Sequence, residues 1–273
     1  MNTHVLERYE AFLIDIDGVL VRGREPIRGS VEALDALRDR GRVLLLSNNS
    51  TRTRRNLAEH LRHHGFRIAP EETVPSSFTV ARHLLETVGP VCAWPVGEQG
   101  LRDEMIEAGH RIAERPEMAD WVVAGMDRHL TYATLADALT ALENGARLVA
   151  TNDDATFPTP DGPMPGAGAI IGAFRGMGHE PELLVGKPSL IPYRLALATL
   201  DVPPNRVLMI GDRLETDILG GRNAGIDTAF VLSGISTRAD IDAREVRPTW
   251  IAQDLTALAR GDVEAPAASP SST

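Results

Sequence analysis

Two carboxylates follow a short apolar run near the start of the chain. In the stretch AFLIDIDGVL (residues 11–20), four apolar residues precede Asp15, and Asp17 and Gly18 follow. Because alternate residues of an extended chain share a face, the two carboxylates are expected to point the same way. Neighbouring carboxylates repel each other unless they share a proton or bind a cation, and Mg²⁺ prefers such oxygen ligands. An Asp-Gly turn is the simpler alternative, but it leaves the first aspartate unexplained.

A second polar cluster stands in the stretch LLLSNNSTRTRRN. Ser47 offers a hydroxyl group and Asn48 and Asn49 offer amides, directly after an apolar run. Backbone N–H groups at the start of a following helix would favour an anion here. A helix cap is the alternative explanation, but Ser50 or Thr51 could supply that cap alone.

The stretch ELLVGKPSL contains a basic residue of an unusual kind for this chain. The sequence has 28 basic residues, and Lys187 is its one lysine. A position that keeps lysine where arginine is used everywhere else indicates a need for a compact point charge, such as contact with a phosphate oxygen. A chance surface lysine is the alternative.

The stretch RVLMIGDRLETDILGG adds two further carboxylates. Asp212 ends an apolar run and could complete a cation site with the first aspartate pair. Asp217 follows five residues later, where it could accept hydrogen bonds behind the metal ligands or favour a helix start. A carboxylate nucleophile, a second carboxyl group, a hydroxyl group, a lysine and a metal together fit phosphoryl transfer through an aspartyl-phosphate.

Alternating strand and helix patterns position these groups. Apolar runs typical of buried parallel strands occur at residues 11–15, 42–48, 91–96, 121–126, 147–152, 182–187, 206–212 and 228–234. Segments with helical spacing separate these runs, which predicts an α/β fold with a doubly wound, mainly parallel sheet. The polar groups fall at the carboxyl ends of four strands, where open parallel sheets bind ligands.

The distribution of these groups also predicts a domain organisation. Residues 85–185 contain strand-like runs but none of the four polar clusters, so we expect them to form an inserted α/β domain. The catalytic core would then consist of residues 1–84 and 186–262. The small, polar, Pro-rich end, residues 263–273, is predicted to be a disordered tail.

Composition narrows the classes of partner and compartment. The net charge of −10 argues against nucleic acid as a partner, and the one dense basic run, TRTRR (residues 51–55), is interpreted as a solvated helix start. The single cysteine, Cys92, rules out an intrachain disulfide and is predicted to be a small core residue. There is no run of ~18 apolar residues for a membrane span and no secretory signal, so we expect a cytoplasmic protein.

The ordered motifs DIDGVL, LLLSNNS, VGKPS and GDRLETDILGG resemble those of the haloacid dehalogenase superfamily of phosphatases. The resemblance is to the subgroup of NagD-like and para-nitrophenyl-phosphatase-like enzymes, and it covers roughly residues 10–260. It implies an α/β cap domain inserted between the SNN motif and the lysine strand, in agreement with the inserted region above. The stretches PSSFTVARHL, GMDRHLTY and ATNDDATFPT resemble that cap, although Asp153 stands where the family usually has proline.

The resemblance also implies a role for each site residue. Asp15 would be the nucleophile and Asp17 the general acid and base. Mg²⁺ would be held by the Asp15 carboxylate, the Asp17 backbone carbonyl and Asp212. Ser47 and Lys187 would bind the phosphoryl group.

Further positions follow from the same comparison of motifs. Asn48 and Asn49 would lie beside the phosphoryl group, and His129 of MDRHLTY matches a cap histidine that contacts substrate in related pyridoxal-phosphate phosphatases. A structural or solvated histidine is the alternative for His129. The cap could also form a homodimer.

We therefore expect a Mg²⁺-dependent phosphatase of small phosphomonoesters, with glycerol phosphate or a sugar phosphate favoured by resemblance. A nucleotide of the UMP type, phosphoglycolate and pyridoxal phosphate are the alternative substrates. A response-regulator-type signalling module would lack the second aspartate, Asp17, and the long insertion. A non-catalytic phosphate-binding relative would not need all four motifs, and mutases of the superfamily usually have helical caps.

Overall fold

The protein is described by a computed structural model, which covers residues 3–23, 25–159 and 162–266. The chain divides into two compact units. The first consists of Met1–Leu45 and Ala196–Thr273, and the second is Leu46–Leu195.

The elements follow one another in the alternating order expected of an α/β chain. The N-terminal segment contains a 3₁₀ helix (Thr3–Arg8), β1 (Ala11–Ile14), β2 (Val21–Arg22), β3 (Glu25–Pro26), α1 (Ser30–Arg38) and β4 (Arg42–Ser47). The middle segment contains α2 (Arg54–His63), β5 (Thr73–Pro75), α3 (Ser76–Thr87), β6 (Cys92–Val96), α4 (Gln99–Glu107), β7 (Arg111–Ile112), β8 (Trp121–Ala124), α5 (Tyr132–Glu143), β9 (Arg147–Ala150), β10 (Thr156–Thr159), β11 (Gly162–Pro165), α6 (Ala167–Gly176) and β12 (Leu183–Leu184), with short 3₁₀ helices at Pro70–Glu72 and Pro116–Met118.

The C-terminal segment returns the chain to the first unit. It contains α7 (Leu190–Leu200), a 3₁₀ helix (Pro204–Arg206), β13 (Val207–Gly211), a π-helix (Leu214–Ile218), α8 (Leu219–Asn223), β14 (Asp227–Val231), α9 (Arg238–Arg244), β15 (Trp250–Ala252) and α10 (Leu255–Ala259). The boundaries between the two units fall inside β4 and α7.

The first unit is built on a parallel sheet in which β1 is a central strand. The strand order is β15–β14–β13–β1–β4, and each of these pairs is parallel. All four residues of β1 are fully buried. A strand that is covered on both faces needs a continuous apolar sequence, which explains the run AFLI.

The second unit has its own parallel sheet with the order β12–β9–β8–β6–β7. Helices cover both faces of this sheet. Alternate side chains of β8 therefore pack against helices on opposite faces. Trp121 and Val123 pack in a core cluster with residues of α3 and α4. Val122 and Ala124 pack in another cluster with residues of α5 and α6.

These two sheets confirm the predicted α/β class with mainly parallel strands. Each of the eight predicted apolar runs coincides with a strand. The sequence pattern did not reveal the short strands β2, β3, β5, β7, β10, β11 and β15. The strands β6 to β12 fall within the predicted inserted region, residues 85–185, but the unit boundaries lie elsewhere, so the limits of a cap remain a prediction.

Three further predictions concern the C-terminal tail, the absence of a membrane-spanning helix and the burial of the single cysteine. Glu264, in the predicted tail, exchanges backbone hydrogen bonds with Ile251 at 2.8 and 3.0 Å. Residues 267–273 of that tail lie outside the described residues. Among the helices of the described residues, none combines the length and apolar character of a membrane span. Cys92 is buried, as predicted.

The second unit contains a buried carboxylate, Glu104 of α4, which is 3% exposed. Its Oε1 accepts a hydrogen bond from the backbone N–H of Arg54, the first residue of α2, at 2.5 Å. Burial raises the pKa of Glu104 from 4.5 to about 6, and the hydrogen bond from Arg54 opposes that rise only in part.

The raised pKa of Glu104 predicts a dependence of stability on pH. The folded state binds this proton more tightly than the unfolded state, so its contribution is most favourable below pH 4.5 and decreases as the pH rises through 6. The difference is about 2 kcal/mol. We expect Glu104→Gln to remove this decrease and to unfold at higher denaturant concentration at pH 7.5. The exposed Glu114→Gln is the control, because Glu114 is not among the charges that shift the pKa of Glu104. Equal pH profiles of the two variants would contradict the assignment.

Candidate active site

Three carboxylates meet in the first unit. Asp15 follows β1 directly, and its N–H continues the ladder by donating to the carbonyl oxygen of Ile210 in β13 at 2.9 Å. Asp212 follows β13 directly. Since β1 and β13 are parallel neighbours, their carboxyl ends reach the same edge of the sheet. One oxygen of Asp15, one of Asp212 and one of Asp217 lie within 4.8 Å of one another, and all three residues are buried. We call these residues the carboxylate cluster.

Asp217 belongs to the cluster because of the turn that follows β13. Residues 214–218 form a π-helix, a wide turn that often occurs at functional sites. Asp217 Oδ2 accepts a hydrogen bond from the backbone N–H of Arg213 at 3.1 Å. We predicted Asp217 as an acceptor behind the ligands, and the geometry additionally makes it a candidate ligand. Gly211 is required for this packing, because a Cβ there would lie 2.2 Å from the Asp217 Cβ.

Asp212 carries the features expected of a cation ligand. Its Oδ2 accepts a hydrogen bond from the N–H of Ile235 at 2.7 Å. Its Oδ1 is buried without a hydrogen-bond partner among the described residues, an arrangement that costs free energy unless something else contacts the oxygen. Burial raises the pKa of Asp212, and the charges of Asp15 and Asp217 raise it further. The oxygen donors and the excess negative charge fit a hard divalent cation.

Two glycines leave the space that Asp212 occupies. A Cβ on Gly18 would lie 2.4 Å from Asp212 Oδ2, and the backbone of Gly18 has a φ of +87°. A Cβ on Gly234, in the loop after β14, would lie 1.8 Å from the same oxygen. The absence of a side chain at Gly18 thus makes room for the Asp212 carboxylate.

The two aspartates of the DID motif have different environments. Asp15 is 7% exposed, whereas Asp17 is exposed. The strand ends at Ile14, and a turn follows in which the N–H groups of Leu20 and Val21 donate to the carbonyl oxygen of Ile16. The strand alternation therefore does not continue to Asp17, which is not one of the three residues of the carboxylate cluster.

Another cluster lies in the second unit, around Lys187, which is 5% exposed. Asn48 accepts a hydrogen bond through Oδ1 from the Lys187 N–H at 2.8 Å and donates through Nδ2 to the Lys187 carbonyl oxygen at 3.1 Å. The Lys187 ammonium group donates to the carbonyl oxygen of Leu46 at 3.2 Å. Ser47, also buried, accepts a hydrogen bond through Oγ from the N–H of Asn49 at 3.1 Å.

The segment after Asn49 differs from the predicted helix start. Helix α2 begins at Arg54, and Thr53 caps it by accepting a hydrogen bond from Asn56 N–H at 3.1 Å. The predicted caps have other contacts. Ser50 Oγ accepts a hydrogen bond from Met126 N–H at 3.0 Å, and the N–H of Thr51 donates to Asn49 Oδ1 at 2.9 Å.

His129 lies on the exposed loop between β8 and α5, where its N–H donates to Asp127 Oδ1 at 2.8 Å. Its substrate contact remains a prediction. Asp153, which replaces the family's usual proline, pairs with Arg175 at 2.9 Å.

Sequence reasoning missed two groups of residues near the clusters. One is the loop after β14, with Gly234 and Ile235. Because β14 is a parallel neighbour of β13, this loop lies beside the carboxyl end of β13, and that position could have indicated it. The other is the turn with Asn152 and Asp154, which contact Asn48. A strand pattern in the sequence does not reveal such contacts.

Comparisons with known proteins identify the family of this chain. A family model described as haloacid dehalogenase-like hydrolase matches residues 12–111, and one described as HAD-hydrolase-like matches residues 184–258. The acid sugar phosphatase of Staphylococcus epidermidis is 36% identical over 253 residues, which cover 92% of this chain and 96% of that protein.

Solved structures are similar over nearly the whole chain as well. The p-nitrophenyl phosphatase from Archaeoglobus fulgidus has a TM-score of 0.87 and 34% identity, covering 93% of this chain and 99% of that one. The glycerol phosphate phosphatase from Mycobacterium tuberculosis, in complex with magnesium, has a TM-score of 0.86 and 35% identity, covering 93% of this chain and 77% of that one. The chain therefore belongs to the haloacid dehalogenase-like hydrolases and, within them, to the phosphatases of the NagD-like and p-nitrophenyl-phosphatase-like subgroup.

Proposed function

We propose that this phosphatase is Mg²⁺-dependent and hydrolyses short polyol or sugar phosphates through an aspartyl-phosphate intermediate. The buried carboxylate cluster with the unpartnered Asp212 Oδ1 is the observation that carries the proposal. Three converging carboxylates without a cation would repel one another, so the cluster is suited to a resident divalent ion.

Residues of the first unit would carry the covalent chemistry. A carboxylate oxygen of Asp15 attacks the phosphorus atom, and the bond from phosphorus to the ester oxygen breaks. Asp17 gives its proton to the departing alcohol oxygen and then takes a proton from the water that attacks the aspartyl-phosphate. The products are the alcohol, inorganic phosphate and the regenerated Asp15. The exposure of Asp17 suits a group that exchanges protons with alcohol and water.

Asp15, the Asp17 backbone carbonyl and Asp212 would hold the cation, and Asp217 is a further candidate ligand. When bound, Mg²⁺ neutralises charge on the phosphoryl oxygens. In the second unit, Ser47 and the Lys187 ammonium group would donate to those oxygens, with Asn49 beside them. Family membership supports these roles.

The choice of substrate class rests on the relatives. One is named an acid sugar phosphatase and another a glycerol phosphate phosphatase, at 36% and 35% identity. Both names describe phosphomonoesters of small polar alcohols, so we extend that class to this chain. His129 would contact the substrate from the cap, and the protein would act in the cytoplasm, with a homodimer formed through the cap.

The experiment is phosphate release from a panel of phosphomonoesters in Mg²⁺ and in EDTA. We expect metal-dependent release, with glycerol phosphate or a sugar phosphate preferred over UMP, phosphoglycolate and pyridoxal phosphate. A preference for one of the latter three would correct the substrate class alone. Equal rates in EDTA would contradict the metal assignment, and an inactive folded protein would contradict the phosphatase function.

Replacing the single lysine by arginine tests whether its shape matters. The buried Lys187 ammonium group lies 3.2 Å from the carbonyl oxygen of Leu46, which leaves little space for a planar guanidinium group. We expect Lys187→Arg to lower kcat/KM about 100-fold, because a misplaced cation no longer meets the phosphoryl oxygens. Lys187→Met, which keeps length but not charge, is the companion variant. Wild-type kinetics for Lys187→Arg would show that charge alone is required.

A further inference from the structure

The turn formed by residues 152–154 holds Asn48 at two points within the second unit. Asn152 Nδ2 donates to the Asn48 carbonyl oxygen at 2.7 Å. Asp154 Oδ2 accepts a hydrogen bond from Asn48 Nδ2 at 3.1 Å. Asn152 Oδ1 accepts a hydrogen bond from the Asp154 N–H at 3.1 Å, which fixes the shape of the turn. The backbone and the side chain of Asn48 are therefore both set by this turn.

Asn48 in turn holds the backbone of Lys187 at two points, the N–H at 2.8 Å and the carbonyl oxygen at 3.1 Å. An asparagine amide has two N–H donors. One donates to Asp154 and the other to Lys187. Phosphoryl oxygens accept hydrogen bonds, so Asn48 could bind them through its side chain only by giving up one of these contacts.

The packing around Gly186 shows how closely these segments approach. A Cβ on Gly186 would lie 2.5 Å from the Thr151 carbonyl oxygen and 2.8 Å from Asn48 Oδ1. The backbone that leads to Lys187 therefore lies directly against both the Asn48 amide and the start of the 152–154 turn. A shift of this turn would be transmitted to the position of the lysine.

We propose that Asn48 and Asp154 are positioning residues that set the place of the Lys187 ammonium group, and that the side-chain amide of Asn48 does not bind the phosphoryl group. This inference rests on the proposed function, in which Lys187 binds that group. Asp154 orients the Asn48 amide by accepting one of its two donors. The amide then fixes the Lys187 backbone, from which the lysine side chain extends.

A double-mutant cycle with p-nitrophenyl phosphate tests whether Asn48 acts through Lys187. We expect Asn48→Ala to lower kcat/KM about 30-fold and Lys187→Met to lower it about 100-fold or more. If Asn48 acts through the lysine, the double variant is no slower than Lys187→Met alone. Losses that multiply in the double variant would overturn the proposal, because they would mean that Asn48 contributes independently.

Variants of Asp154 test whether its carboxylate positions Lys187 by orienting the Asn48 amide. We expect Asp154→Ala to lower kcat/KM about 10-fold and to weaken competitive inhibition by inorganic phosphate to a similar extent. Asp154→Asn should restore both, since its amide oxygen can accept the same hydrogen bond from Asn48. The matched control is Asp153→Ala, which removes the adjacent carboxylate and its ion pair with Arg175. Equal losses in Asp153→Ala and Asp154→Ala, or no rescue by Asp154→Asn, would overturn the role of Asp154.

Folding is monitored for every variant by thermal unfolding. If Asn48→Ala does not fold, the same cycle is made with Asp154→Ala and Lys187→Met. The failure of the two proposals can be told apart. Full activity of Lys187→Met would refute the proposed role of the lysine itself, whereas an impaired Lys187→Met with multiplying losses would refute positioning alone.

Discussion

Replacing Asp15 by asparagine is expected to lower turnover by at least about 10⁴-fold while the protein stays folded. The substitution keeps the size of the side chain and removes its ability to attack phosphorus. It also removes one of the three charges of the carboxylate cluster, and the Asp15 charge is one cause of the raised pKa of Asp212. We therefore expect the unfolding midpoint measured in EDTA to rise by about 2–4 °C.

The two readouts separate a lost nucleophile from a damaged fold. A variant that is inactive and also unstable in EDTA would point to misfolding. An active Asp15→Asn would contradict the assignment of the nucleophile outright. The exposed Asp39→Asn, at the end of α1 in the same unit, is the matched control for turnover, which it should leave unchanged.

The second large effect is expected from Gly234→Ala. The new methyl group would lie 1.8 Å from Asp212 Oδ2, so the carboxylate must move and its hydrogen bond from Ile235 is lost. Residues that orient a metal ligand typically contribute 10–100-fold to metal affinity. We expect the dissociation constant for Mg²⁺, measured by titration calorimetry without substrate, to rise about 10- to 100-fold.

Gly172→Ala is the control for this substitution. Gly172 lies within α6, and a Cβ there meets nothing within 4 Å. It should leave the Mg²⁺ affinity unchanged and stabilise the helix slightly, because alanine favours helices over glycine. A folded Gly234→Ala that binds Mg²⁺ as tightly as the wild type would show that Asp212 does not hold the ion.

The sequence predicted the sheets and the chemistry at their edges because both depend on local patterns. A strand buried on both faces must be continuously apolar, as AFLI is. An open parallel sheet binds its ligands at the carboxyl ends of such strands, so residues that directly follow them are candidates for the site. Asp15 and Asp212 could therefore be placed together before any coordinates were known. The short strand β7, only two residues long, carries too little pattern to be predicted.

What the sequence did not predict depends on contacts between distant segments. The place of Asp217 in the carboxylate cluster depends on a π-helix, which replaces the α-helix that the spacing indicated. The contact between Asn48 and Asp154 joins residues 106 positions apart in the chain. Such pairings arise from tertiary packing, which neither periodicity nor capping preferences encode.

The single buried lysine has a practical consequence for chemical modification. Reagents that acylate lysine side chains have one such target in this chain, and it is 5% exposed. Surface labelling and immobilisation therefore cannot rely on lysine side chains and would use an α-amino group, carboxylate or arginine chemistry, or an introduced cysteine. A bound anion would protect Lys187, the one amine side chain that can react. A decrease in the rate of Lys187 acylation would therefore report occupancy of the phosphate site.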